Sequence, residues 1–564
     1  MKTAILFLLL PTIIYAQTNV SGFISTNTTW TLSGSPYIVI GNTLVSHGST
    51  LTIEPGVVVK FNADKALQID GELLAIGTPQ SRIKFTSNLS NPSSGDWAKI
   101  HFSDTCVSAA FDLTGNYLSG SIMKYCDVEY AGSLGIAAIH IVESSPYFTH
   151  CNISNSAADG IYSYETTYLI DSSFISNCQG SGLHFERYFF GNSCTITIQD
   201  NSILNNTGGG IKFDGYYGGF PQCNYNHYTA IRRNIFDSNS PFALIAPGSQ
   251  NDSLIVSENI FTNNTGSGAT LQFSVTTYLI ECNQFINNNT SGGIIFSNYG
   301  DNYAAATSSF HIRNNIFRGN TVSGNNKSII HLTNNGNDKD ITISNNLISN
   351  NSSPSGQICS FTSSITCIFQ IHDNSFIGNT SKATVEMLPP NGTGSSYTYL
   401  SMTNNNLVNP NSQYEFKNSV PYGSPNLTVS NNYWGTTSTQ HLDAVIYDFF
   451  DLANQSVVYY QPLLDNAVTI DTSCFPLTVS TNNITKQFPT VNVYPNPFTN
   501  QFTVQLSDNG QTTILLYNFV GQQLWQQTFT NSTTINTEQL ADGIYFYELR
   551  NDKGVIKTGK VVKQ

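Results

Sequence analysis

Groups able to do acid–base work on a sugar recur at matching places in consecutive short segments of this chain: His140, Tyr162, His184 with Glu186, and Lys212 with Asp214. In Gly182-Leu183-His184-Phe185-Glu186 and Gly210-Ile211-Lys212-Phe213-Asp214, apolar and polar residues alternate with the period of a half-buried strand. His184, Glu186, Lys212 and Asp214 therefore share the outward side. A glycosidase uses two carboxyl groups, and a lyase needs a base for the proton α to a uronate carboxylate and a cation to neutralise that carboxylate. Glu186 and Asp214 make a carboxylate pair of the first kind; Lys212, Arg187 and His184 supply the second. These two readings name His184, Glu186, Lys212 and Asp214 as the candidate catalytic residues. Arg187-Tyr188-Phe189-Phe190 and Tyr216-Tyr217-Gly218-Gly219-Phe220 follow two of the strands and offer flat faces for sugar stacking. Together with His140 and Tyr162, residues Arg187, Tyr188, Phe189, Tyr216 and Tyr217 are the candidate substrate-binding set. Farther along, the equivalent positions Gln272, Ile295, His331 and Glu386 are poorer in chemistry.

Placing these groups side by side requires a repeat, and the chain has one. The pattern Asn-x-[Phe/Ile/Val]-x-x-Asn has its apolar anchors at Phe174, Ile203, Phe236, Phe261, Phe285, Phe317, Ile348, Phe376 and Val408. An asparagine stands three residues after every anchor, from Asn177 to Asn411. Another stands two residues before each anchor except the first, which has Ser172. Units of 24 to 33 residues with short strand-like segments cannot bury their apolar side chains alone and must stack. Three strands per unit, such as 210–213, 230–232 and 235–236, give a three-sided coil. Corners call for left-handed backbone, which asparagine tolerates, and stacked asparagines can bond along the axis. At about 4.8 Å per coil the eight intervals advance roughly 38 Å. The fold class is all-β: a right-handed parallel β-helix followed by a small C-terminal β-sandwich.

Before the repeat stand LTIEPGVVVKF at 51–61, LQIDGELLAIGTPQSRIKFTS from Leu67 and GDWAKIHF from Gly95; after it come NNYWG at 431–435 and VVYYQPLL at 457–464. These stretches resemble the opening and closing coils of secreted right-handed parallel β-helix repeat proteins of the Bacteroidetes type. In β-helix enzymes acting on acidic polysaccharides, the site lies on the outward face of one sheet beside its longest loops, which is where the candidates fall. The last segment carries YPNP at 494–497, Tyr517-Asn518 with Gly521, the stretch from Leu540 to Tyr545, and Gly559-Lys560-Val561-Val562-Lys563. It resembles the type IX secretion C-terminal sorting domain, which implies passage across the outer membrane through that machinery and removal of the domain on the way.

The remaining features set the boundaries. Lys2, an apolar run from Ala4 to Ile14 and the small-residue site ending at Ala16 have the order of a secretory signal peptide. The expected organisation is a signal peptide at 1–16, the β-helix at 17–464, a linker at 465–487 and the sorting domain at 488–564. Delivery is expected to the medium or the outer cell surface by way of the periplasm. A formal charge of -13 argues against nucleic acid as a partner, and no mature stretch is apolar enough to span a bilayer. The expected partner is a polysaccharide or other glycan. No GxSxG, HExxH, phosphate-loop or dinucleotide motif occurs. Because outward charges on a solenoid are mostly solvated surface, the reading is carbohydrate interaction without committed chemistry. The alternatives are a polysaccharide lyase or glycoside hydrolase, and a non-catalytic adhesin. Calcium is a possible cofactor at the turn from Asn334 to Asp340. Among ten cysteines, Cys359 and Cys367 bracket a loop they could bridge, while Cys126 and Cys151 fall at matching places in neighbouring coils, bonded or free.

Overall fold

The computed structural model describes residues 17–564 except 113–114, 167–168, 188–194, 216–227, 248–252, 275–276, 300–309, 335–340, 364–366, 390–397, 422–424, 471–473, 475–490, 507–509, 518–522, 542 and 552–553. The chain divides into two units, Met1–Pro476 and Leu477–Gln564.

The first unit is a right-handed parallel β-helix. One coil runs through Leu183–Arg187 on the first face, Thr195–Gln199 on the second and Ser202–Leu204 on the third. The second faces form a 16-stranded parallel sheet, and the first and third join in a sheet of 32 strands. The anchors stack as expected in the middle of the solenoid: Phe236, Phe261, Phe285 and Phe317 lie with centroids 4.6, 4.7 and 4.8 Å apart and planes within 5°. At both ends of the repeat the register is one residue off the sequence reading. Ile175, not Phe174, continues the column between Ile153 and Ile203, and Phe174 is 52% exposed. Leu407, not Val408, stacks on Phe376.

The corner geometry divides the asparagines into two kinds. Left-handed backbone falls on the residue before the ladder asparagines through the body of the repeat: Asn205, Ser238, Asn263 and Asn287 on one corner, Asp200, Arg233, Glu258 and Cys282 on the other. The ladder asparagines themselves are buried and bonded on every side. Asn288 donates its backbone N–H and its Nδ2 to Oδ1 of Asn320 at 3.0 and 2.9 Å and Nδ2 to the Phe261 carbonyl at 2.9 Å; its own Oδ1 accepts from N and Nδ2 of Asn264 at 3.0 and 2.9 Å. Corners without sheet partners thus bury no unpaired polar group. One ladder runs from Asn201 through Asn432; the other runs from Asn206 to Asn409, which donates N and Nδ2 to Glu415 at 2.5 and 2.8 Å. Burial pushes the Glu415 carboxyl upward from its ordinary range. Towards the N-terminus the ladder places are taken by small donors: the Cys151 N–H bonds Ser173 Oγ, and the thiols of Cys151 and Cys126 point at the carbonyls of Met123 and Ala75. Cys126 and Cys151 are both buried and free. Cys359 is also buried and free, so it does not bridge to Cys367; among the described residues a disulfide joins Cys282 to Cys474.

The closing coil buries Trp434 and carries a short helix, Thr439–Val445, whose Leu442 packs inward, before its last strands Ile446–Tyr447 and Val458–Tyr459. No helix among the described residues is long and apolar enough to cross a membrane, which says nothing about spanning by strands.

The second unit is a two-sheet antiparallel sandwich, with Val491–Tyr494, Gln501–Leu506 and Ser532–Asn536 in one sheet and four strands in the other. Its core holds Phe502, Val504, Ile514, Leu516, Leu549 and Val561. Its end motifs meet in space: Asn496 Oδ1 accepts from the Val562 N–H at 2.9 Å, and the Phe498 N–H bonds the Val562 carbonyl at 2.8 Å. The Lys563 ammonium is buried and satisfied by the carbonyls of Thr537 and Leu540 at 2.9 and 2.7 Å.

Candidate functional site

On the first face, Leu183 stacks on Ile161 and Ile211, and Phe185 lies over Phe213 with ring centroids 4.6 Å apart and planes at 10°. With these side chains inside, alternation fixes what faces out. His140, Tyr162, His184 and Lys212 form one outward row, and Glu186 and Asp214 stand beside it in a second row behind Val142 and Tyr164. All six residues picked from sequence are on the same face. The rings of His140, Tyr162 and His184 follow each other at 5.3 and 5.0 Å, edge to face, close to the strand spacing.

The candidate catalytic side chains are tied to one another. His184 holds a carboxylate at each nitrogen: Asp159 at 2.7 Å from Nδ1 and Asp214 at 3.0 Å from Nε2. Donating to both at once requires both nitrogens to carry hydrogen. Lys212 Nζ sits 2.6 Å from the same Asp214 oxygen. The Tyr162 hydroxyl donates to Glu186. A shallow depression of about 440 Å³ is floored by His140, Tyr162 and His184, walled by Val142, Asp159 and Tyr164, and edged by Gly135 and Ile136. Its centre is one to two coils nearer the N-terminus than the carboxylate pair emphasised by the sequence.

Three residues of this region were missed from sequence. Asp159 leads its strand and fixes His184, and its other oxygen accepts the Ser181 N–H at 2.6 Å. His101 precedes His140 in the outward row, its ring 4.7 Å from that of His140. Lys99 places Nζ 3.1 Å from His140 Nδ1. The segment GDWAKIHF held the signal for the last two, because Ile100 and Phe102 point inward and leave His101 outside. Unlike Lys212, Lys99 has no carboxylate among the described residues at ion-pair distance, and His101 Nδ1 is buried without a partner.

Burial and the Lys99 ammonium hold His140 down to about 3, and the same two causes lower His101. Burial, with Lys327 nearby, lowers His331 to about 4. A histidine whose folded value lies below the ordinary 6.5 takes its proton first in the unfolded chain, so its contribution to stability is present above 6.5 and is lost as pH falls toward 3. The melting temperature is therefore expected to fall over that window, and His140→Gln to make the fall shallower. An identical slope in wild type and variant rules out a titrating His140.

Several sequence expectations fall elsewhere. Tyr188, Phe189, Tyr216 and Tyr217 lie outside the described residues, and so do the Arg187 side chain and most of the turn from Asn334 to Asp340. Among the described residues no group of three or more His, Cys, Asp or Glu side chains is gathered to hold a metal ion. Ile295 is fully buried, and Phe296 takes the outward place between Gln272 and His331. Ile295 continues the inward column of Leu183, Ile211, Leu244 and Leu271, so Gly293 stands two residues before that column, whereas Gly182 and Gly210 stand one before it. Glu386 is also buried, paired to Lys417 at 2.8 Å.

Residues 137–315 match the family model for the right-handed beta helix region, and residues 492–564 match that for the secretion system C-terminal sorting domain. A 61-residue stretch, 10% of the chain, is 49% identical to the Protein bark beetle of Drosophila melanogaster, and spans 2% of that protein. Among solved structures, the tailspike gp61 of Pseudomonas phage phi297 is 8% identical with a TM-score of 0.32, over 91% of this chain and 88% of that one. The alginate lyase from Paenibacillus sp. str. FPU-7 is 13% identical with a TM-score of 0.20, over 69% and 94%. Scores this low leave the chemistry to be read from the site's own residues. The chain is an exported right-handed parallel β-helix whose C-terminal sorting domain addresses it, through type IX secretion, to the cell surface or extracellular space.

Proposed function

We propose that this surface β-helix binds an acidic polysaccharide along its first face, in the depression over His140, Tyr162 and His184. The observation that carries this reading is the row of three rings, set edge to face at the coil spacing and ending at Lys99, which has no carboxylate at ion-pair distance among the described residues. Rings spaced by the coil repeat suit successive sugar faces, and an ammonium half-removed from water gains by pairing with an anion. The carboxylates nearby do not compete for that anion's place, because Asp159 and Asp214 are held by His184, Asp214 also by Lys212, and Glu186 by Tyr162. The overall charge of -13 opposes a polyanion, so recognition rests on these local groups.

Affinity electrophoresis through gels containing polygalacturonate, alginate or neutral dextran tests it. Retardation is expected in the acidic gels. Tyr162→Ala and Lys99→Ala should each weaken binding by about ten-fold or more, as loss of a central anchor does. Equal mobility in all gels, or binding unchanged by Tyr162→Ala, overturns the proposal.

A second reading is catalytic, favoured by the Tyr162 phenol bonded to Glu186 and set edge-on to His184, a chain along which a proton can pass. Lyase action gives absorbance of unsaturated uronates, hydrolysis gives reducing ends alone, and Glu186→Gln should abolish either. Absence of both products with binding intact leaves the non-catalytic reading.

A further inference from the structure

The chain beyond the closing coil returns to the solenoid. The Val468 N–H donates to Asn406 Oδ1 at 2.8 Å, and Asn406 Nδ2 donates to the Val468 carbonyl at 2.8 Å. Asn406 and Ser375 point outward on the third face, because Leu407 and Phe376 fill the interior, yet each is only 3% exposed. Val468 and Ile470 are half-buried and Thr469 between them is exposed, the alternation of extended chain lying on a surface. Cys474 is half-buried and is bonded to Cys282 with Cα atoms 5.4 Å apart. Cys282 is the corner residue just before the strand Gln284–Ile286.

The spans agree. From Gln284 to Asn406 the outward row passes through Ile316, Leu347 and Ser375, four strand steps. Four steps of about 4.8 Å make roughly 19 Å, and the six residues from Val468 to Cys474 reach roughly 20 Å when extended. Ile316 and Leu347 are apolar side chains on an outer surface, each half-buried.

We propose that the chain leaving the closing coil is strapped back to the third face: Val468 holds it at Asn406, and the Cys282–Cys474 bond ties it again four coils nearer the N-terminus. The bond forms by thiol–disulfide exchange, in which the two thiols lose two protons and two electrons and a disulfide oxidant of the export compartment leaves as a dithiol. The strap belongs to the solenoid unit, so it stays in place whatever becomes of the sorting domain.

Non-reducing peptide mapping of the exported full chain should find Cys282 and Cys474 in one linked pair. Hydrogen exchange at the Val468 amide should be slow in that protein. Asn406→Ala, which removes two strap bonds and leaves the disulfide, should speed exchange at Val468 by about ten-fold or more. The Cys282→Ser, Cys474→Ser double variant should keep its first-face protection and be cut faster by protease between 465 and 474. Two free thiols in the exported protein, or Val468 exchanging at the rate of unstructured chain, overturns the strap.

Discussion

Replacing Phe285 by alanine is expected to destabilise the solenoid by about 3 to 5 kcal/mol, the range for emptying a large aromatic site in a close-packed core. Phe285 is fully buried, with Phe261 stacked on one side at 4.7 Å and Phe317 on the other at 4.8 Å, so truncation removes contacts in three coils at once. The flanking ladders limit collapse into the void, because Asn283 and Asn288 are each fixed to the coils above and below. Phe174→Ala is the control. Phe174 matches the same sequence pattern but is 52% exposed, so its loss should change stability by about 0.5 kcal/mol or less. Thermal or denaturant melting of the two variants separates the observed register from the one-residue alternative: comparable losses at both sites would refute it.

That contrast marks how far the sequence could be read. In the middle of the repeat the anchors, the inter-asparagine spacing and the strand alternation all agree, and the fold class and the outward row from His140 to Asp214 followed from them. The pattern became ambiguous where its residues allow two alignments. Around Phe174 the places of the ladder asparagines are filled by Ser173 and Cys178, and Ile175 is as good an anchor as its neighbour. At Ile295 the leading glycine, Gly293, stands one place earlier relative to the inward column than Gly182 and Gly210 do, an offset that no composition signal reveals. Contacts across coils were out of reach for another reason. Asp159 meets His184 from the start of its strand, Lys99 meets His140 across 41 residues, and Cys282 meets Cys474 across 192. Variable loops separate these pairs, so spacing alone does not bring them together. The segment read as a linker had the polar composition of one, but its Val468 and Ile470 alternate in burial against the solenoid.

Removing residues 492–564 is expected to abolish delivery to the surface or medium while leaving the β-helix folded. The two units have separate cores: Phe502, Val504, Ile514 and Leu549 pack among themselves, and the solenoid core from Trp30 to Val458 draws on none of them. The closing coil, with Trp434 and Leu442 buried, and the Cys282–Cys474 bond both lie before the cut, so the truncated chain keeps the coil that closes its solenoid. The address lies in the part removed, where Asn496 and Val562 join the two end motifs of the matched sorting domain. Fractionation should find the truncated chain in the periplasm with an unchanged melting transition. Val562→Pro in the full chain removes the N–H that Asn496 accepts and should give the same retention with the solenoid intact. Normal amounts of truncated protein at the surface would mean that the β-helix carries its own export signal and that the C-terminal sandwich serves another purpose.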